Sequence, residues 1–135
     1  MKTIIIFYSH TGHTRKIAQE LADKETADIY EVKEKKSRNI FNAYVFGSFQ
    51  AMKQKKSDIE PIDIDLQLYD RIIVMAPIWA SFPAPAINNV IGILPAGKDI
   101  EFIAVSASGS SKSEKVKDDI QNKVGRAIDY KDIKA

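Results

Sequence analysis

Cysteine is absent from this chain, which excludes disulfides, iron–sulfur clusters, thiolate metal sites and cysteine nucleophiles. Histidine is scarce. Only His10 and His13 occur, three positions apart, with no further ligands clustered nearby, so no metal site is expected. The Gly-Lys-Ser/Thr ending of a Walker A loop is missing, as are G-x-G-x-x-G and H-E-x-x-H. No Ser-His-Asp arrangement appears, nor the strand-end carboxylates of a phosphoacceptor site. Any chemistry is therefore expected to belong to a bound cofactor. No apolar run approaches membrane-spanning length. No cleavage-site pattern follows Met1-Lys2, so a cytoplasmic protein with no membrane partner is expected.

What is present fits one domain. The 135 residues are 44% apolar, enough for a full core without metal or disulfide support. The net charge is +2, and its excess lies between Lys33 and Glu60. A basic segment can attract nucleic acid. A solvated helix flank is the simpler account, and nucleic acid is not the expected partner.

The stretch Ile4-Ile5-Ile6-Phe7-Tyr8-Ser9-His10-Thr11-Gly12-His13-Thr14 organises the rest. An apolar run without alternation reads as a strand, residues 2–8, covered on both faces. A hydroxyl-rich turn follows, then a helix over 13–24 with Ile17, Ala18, Leu21 and Ala22 on one side. Residues 28–33 alternate and read as an edge strand. Residues 39–55 read as a helix rich in aromatics, which packs in the core or touches a bound ring. Further strands fall at 70–76, 100–106 and 127–133, and further helices at 84–92 and 112–123. The stiff loop from Pro77 to Pro85 carries the only tryptophan, Trp79.

Strands alternating with helices imply an α/β fold, a parallel sheet between helix layers. Ligands of such sheets bind beyond the carboxyl ends of the strands. Three loops lie there: 9–14, 77–83 and 106–112. A helix start offers free N–H groups and the positive end of the macrodipole. Ser9, Thr11 and Thr14 add three hydroxyls where a cap alone needs one. The pattern points to a phosphate group, with His10 and His13 at its mouth. Trp79 either joins the core or offers its face to a flat ring, and its place on the ligand edge favours the ring.

These residues resemble the flavodoxin family. The match comprises Ser9-His10-Thr11-Gly12-His13-Thr14 after the first strand and Tyr69-Asp70 before the third. It continues with Pro77-Ile78-Trp79 after the third strand and Ser106-Ala107-Ser108-Gly109 after the fourth. The resemblance implies an open, doubly wound, five-stranded parallel sheet in the order 2-1-3-4-5. It implies non-covalent FMN, with the phosphate on residues 9–14, the ring against Pro77, Ile78, Trp79 and Ala80, and the ribityl chain and ring edge near Ser106 to Ser111.

Four departures shape the functional expectation. The loop after the fourth strand has no aromatic, leaving one ring face open to a nicotinamide or quinone. Ala80 stands where the family often has glycine, and alanine resists positive φ, which weakens one-electron behaviour. The chain is slightly basic where the family is usually acidic. No final helix follows the fifth strand, so apolar side chains of strands three to five are expected to be exposed and to form a homodimer interface. The leading expectation is electron transfer through FMN, with a redox partner protein or NAD(P)H as counterpart. The alternatives are an FMN-dependent NAD(P)H:quinone or acceptor reductase and a binding module without flavin.

Overall fold

The structure is a computed structural model and describes residues 1–35, 47, 56–79, 82–107, 109 and 114–135. The elements in chain order are β1 (Thr3–Phe7), α1 (His13–Glu25), β2 (Asp28–Glu31), a 3-10 turn (Leu66–Leu68), β3 (Arg71–Trp79) and β4 (Phe82–Pro83). After these come α2 (Pro85–Ile93), β5 (Asp99–Ser106), α3 (Glu114–Val124) and β6 (Asp129–Lys134). The expected aromatic helix of residues 39–55 lies outside the described residues, Gly47 excepted. So do Ala80, Ser108, Ser110 and Ser111.

The sheet runs β2-β1-β3-β5-β6, every neighbour parallel, and β4 pairs antiparallel with the end of β3. Counting the parallel strands alone, this is the expected order 2-1-3-4-5. β1 lies inside the sheet because its side chains tolerate no solvent: Ile4, Ile5 and Ile6 are fully buried and Phe7 nearly so. Each such side chain contributes about 1.5–3 kcal/mol on burial. Alternation sends Ile4 and Ile6 to one face, among Ile87 and Val90 of α2 and Val116 and Ile120 of α3. Ile5 and Phe7 go to the other face, with Ala18 and Ala22 of α1. The small residues at four-residue spacing bring α1 close to the sheet.

The chain leaves β1 toward one face and β3 toward the other. Strand order therefore reverses between β1 and β3, and a crevice opens beyond their carboxyl ends. That crevice is where the loop after Phe7, the end of β3 and the start of the loop after Ser106 meet.

Two expectations need correction. The loop read from Pro77 onward is strand as far as Trp79, which pairs with Phe82, while Ile78 pairs with Pro83. Pro77 is tolerated because its carbonyl accepts the Ala84 N–H at 2.9 Å, on the side where β1 has already ended at Phe7. Its missing donor faces that same side, where no β1 ladder bond is required.

The second correction concerns the sheet face left without a final helix. No helix follows β6 among the described residues, yet the expected exposed apolar side chains are not exposed. Ile73, Met75, Ile103 and Val105 are each at most 3% exposed, packed with Ile17 and Leu21 of α1 and with Ile133 of β6. The rest of that face is charged. Arg71 reaches Asp99 at 2.7 Å, Glu101 at 3.2 Å and Asp129 at 3.6 Å, and Lys131 stands 4.0 Å from Glu101. Burial works against the Arg71 charge. The hydrogen bond to Asp99 and the charges of Asp99, Glu101 and Asp129 outweigh it and hold the guanidinium pKa above its ordinary value.

Candidate functional site

The loop after β1 is a tight turn built around Gly12. Ser9, almost buried, accepts the Gly12 N–H on Oγ at 3.0 Å. Gly12 has φ +98°, a conformation strained for any residue with a Cβ, and it begins α1 by accepting the Lys16 N–H at 3.1 Å. The first turn of α1 has no acidic residue and no side-chain cap, so its leading N–H groups carry the helix's positive end toward the crevice. Thr14 is buried at this end, on the stripe that continues through Ala18 and Ala22. Thr11 and His13 are exposed on the rim, with Thr11 Oγ1 and His13 Nδ1 a distant 3.4 Å apart.

Arg15 follows in the same turn and reaches across to β2. It forms a bidentate pair with Glu31 at the end of β2, Nε at 2.8 Å and Nη2 at 2.6 Å. The hydrogen bond to Glu31, then its charge, raise the guanidinium pKa above its ordinary value. The pair ties α1 to the sheet edge. Sequence reading missed it, because nothing local links residues sixteen positions apart.

Trp79 ends β3 half-buried. Its ring centroid is 6.0 Å from Tyr8 at an interplanar angle of 81°, and 6.0 Å from His10 at 89°. Both are edge contacts of the kind aromatic quadrupoles favour. The loop after β5 repeats the construction of the first. Ser106 Oγ accepts the Gly109 N–H at 3.1 Å, as Ser9 does for Gly12. Gly109 has φ +76°, and a Cβ there would lie 3.0 Å from Lys134 Cβ, so the close approach of β6 requires glycine. The Ser106 carbonyl also accepts the Ala135 N–H at 2.8 Å.

Two loops and the end of β3 thus meet at one cleft of about 190 Å³. Of the residues expected at a site, His10, Thr11, His13, Thr14, Pro77, Ile78, Trp79, Ser106 and Ala107 line it. Ser9, Gly12 and Gly109 shape the turns beside it, while Ala80 and Ser108 lie outside the described residues. Val105 and Ala135 also line the cleft and were not anticipated. His10 borders in addition a second cleft of about 420 Å³, toward Arg15, Glu31 and Glu34. Among the described residues no group of three or more His, Asp or Glu could hold a metal ion.

The arrangement has an anion-seeking helix start with hydroxyls at one end, an indole at the other, and a shallow third wall of small residues. That donor set fits a phosphate monoester attached to a flat ring.

Known proteins carry the same architecture. A flavoprotein from Lactobacillus acidophilus, solved in complex with FMN, superposes with a TM-score of 0.73 at 21% identity, covering 96% of this chain and 89% of that one. A candidate flavoprotein from Bacteroides uniformis gives 0.80 at 25% identity, covering 96% and 86%. An NADPH-quinone reductase from P. pentosaceus gives 0.57 at 10% identity, covering 95% and 81%. No curated protein sequence matches the chain. A flavodoxin family model matches residues 2–135, nearly the whole of it, and the chain belongs to the flavodoxin family.

Proposed function

We propose that this chain holds FMN non-covalently in the cleft formed by the loops after β1 and β5 and the end of β3, and works as an electron-transfer protein. The observation that carries the reading is the convergence of Thr11, Thr14, Trp79 and Ser106 on that one cleft at the β1/β3 switch point. The Lactobacillus acidophilus relative with FMN supports it. Bound FMN supplies the electron-accepting ring; the protein's part is to grip and orient it.

The phosphate end would be held by the first-turn N–H groups of α1 and by hydroxyls. Ser9 already accepts from Gly12, which leaves its own hydrogen to donate outward. Thr11 and Thr14 offer two more donors. Each such charge-assisted bond stabilises the anion by about 1.5–3 kcal/mol. His10 and His13 stand on the same rim. At the other end Trp79 would give the ring a stacking face, and Ser106 to Gly109 would run beside its edge and the ribityl chain.

The counterpart would be a redox partner protein or NAD(P)H. One observation keeps an NAD(P)H-dependent reductase as the second reading: among the described residues that line the cleft, none besides Trp79 is phenylalanine, tyrosine or tryptophan. Among the described residues, the apolar side chains invoked for a homodimer interface are buried. Among the described residues no helix is long and apolar enough to cross a membrane.

An FMN titration tests the proposal. Uptake of FMN in a one-to-one ratio, followed by Trp79 emission, is the expected result, and failure to bind added FMN would sink both redox readings. NADPH is then added without a partner protein. An unbleached flavin identifies a carrier; rapid bleaching identifies a reductase.

A further inference from the structure

We infer that Glu34 is a positioning residue for the stacking indole, acting through the Tyr8 ring. The inference deepens the proposed FMN site and rests on it for its functional meaning, but its geometry stands alone. Tyr8 is only 5% exposed and sits directly before the turn at Ser9. Its ring lies 6.0 Å from Trp79 and nearly perpendicular to it, and its O–H donates to Glu34 Oε1 at 2.5 Å, a charge-assisted bond linking positions 26 apart.

Glu34 is itself held from several sides. Its second oxygen accepts the Ser57 hydroxyl. Ser57 is fastened to α2, donating its N–H to Asn89 Oδ1 at 2.9 Å while its carbonyl accepts Asn89 Nδ2 at 3.0 Å. The backbone on both sides of Glu34 is paired: Lys35 N–H to the Asp58 carbonyl at 2.9 Å, and Glu60 N–H to the Lys33 carbonyl at 2.8 Å. A carboxylate fixed in this way sets where the Tyr8 phenol, and hence its ring, can lie.

The indole needs such a guide. Pairing of Trp79 with Phe82 fixes its backbone but not its side-chain torsions. Those are set by what the ring touches, and Tyr8 and His10 touch it edge-on. The chain of contact therefore runs from α2 through Ser57, Glu34 and Tyr8 to the face on which a flavin would stack. Neither Glu34 nor Tyr8 belongs to the phosphate-binding turn.

The test uses the single tryptophan as its own reporter. Tyr8→Phe keeps the ring and removes only the phenol oxygen. Glu34→Ala removes the acceptor. Glu34→Gln keeps one acceptor oxygen for Tyr8 and gains a donor for Ser57. In flavin-free protein, Tyr8→Phe and Glu34→Ala are expected to lower Trp79 emission anisotropy alike, the double variant no further than either, with Glu34→Gln restored to wild type. With flavin, the same two variants are expected to weaken FMN and riboflavin equally, by about three- to tenfold, and without additivity.

Unchanged Trp79 anisotropy in folded Tyr8→Phe and Glu34→Ala overturns the inference. So does an effect of Glu34→Ala that Tyr8→Phe lacks, or additive losses in the double variant. Should Glu34→Ala fail to fold, Tyr8→Phe and Glu34→Gln decide alone. If wild type takes up no flavin, the FMN reading falls, and the anisotropy of flavin-free protein still decides the link.

Discussion

The two ends of the sheet use polar residues in opposite ways. Where the strands begin, polar groups are satisfied by one another. Lys2 N–H donates to Asp70 Oδ2 at 2.7 Å, Tyr69 O–H donates to Asp28 Oδ2 at 2.7 Å, and Arg71 draws in Asp99, Glu101 and Asp129. Where the strands end, the hydroxyls of Thr11, Thr14 and Ser106 and the imidazoles of His10 and His13 gather around a cleft. The first arrangement closes the fold and the second leaves chemistry facing outward. Stability and ligand affinity should therefore be separable by mutation, each end moving one quantity and sparing the other.

The largest break should come from Arg71→Ala. It leaves three carboxylates, two of them on the rim and Glu101 largely covered, with only the exposed Lys131, 4.0 Å from Glu101, as a cation beside them among the described residues. Stranding charge in a well-covered site costs about 3–5 kcal/mol, and the solvation of Asp99 and Asp129 brings the expected loss to about 2–3 kcal/mol. Urea unfolding measures it. Flavin affinity of the folded protein should stay within about twofold. A large affinity loss at wild-type stability would contradict the division between the two ends.

The reciprocal change is the pair Thr11→Ala and Thr14→Val. Loss of two hydroxyls from the helix start should weaken FMN about ten- to a hundredfold, or roughly 1.4–2.8 kcal/mol. Riboflavin, which lacks the phosphate, should be held nearly as before. Isothermal titration with both ligands gives the ratio. Equal weakening of the two would mean that this turn does not carry the phosphate.

How much of this was legible in the sequence follows the same division. The strands β1, β3 and β5 were plain because apolar runs covered on both faces leave no alternation to misread. The turns beside the cleft were legible because their residues are local: Ser9 to Thr14 lie within one turn, and Ser106 to Gly109 within another. The closing end was not. Arg71 and Asp129 are far apart in the chain, and only the register of β5 with β6 brings Glu101 beside Asp129. A sequence without a final helix therefore suggested a bare apolar face, when the outer rows of that face are charged and self-paired. Pro77 misled in the other direction. It reads as a strand breaker, but its carbonyl and its missing donor face the side beyond the end of β1. Glu34 escaped notice because a single carboxylate in a lysine-rich segment looks like surface until Tyr8 and Ser57 are seen on it.

The smallest effect sharpens the comparison at one residue. Tyr69 stands beside Asp70 in a pair that marks the family resemblance, yet it lies at the closing end, almost buried, with Lys2 Nζ 4.9 Å from its ring centroid. Its hydrogen bond to Asp28, then burial and the Asp28 charge, push the phenol pKa up from its ordinary value. The fold thus favours the neutral phenol. That contribution is fully present below about pH 10 and is lost as pH rises through the raised folded-state value. Tyr69→Phe should cost about 1 kcal/mol at neutral pH. The gap to wild type should then close on the alkaline side, because only wild type has the phenol to ionise beside Asp28. Urea midpoints from neutral to strongly alkaline pH give the difference, in which the other tyrosines cancel. A gap that stays constant across that range would mean the bond to Asp28 does not stabilise the protonated phenol. A change in FMN affinity at neutral pH would place Tyr69 with the binding end, against the geometry that puts it at the opposite edge of the sheet.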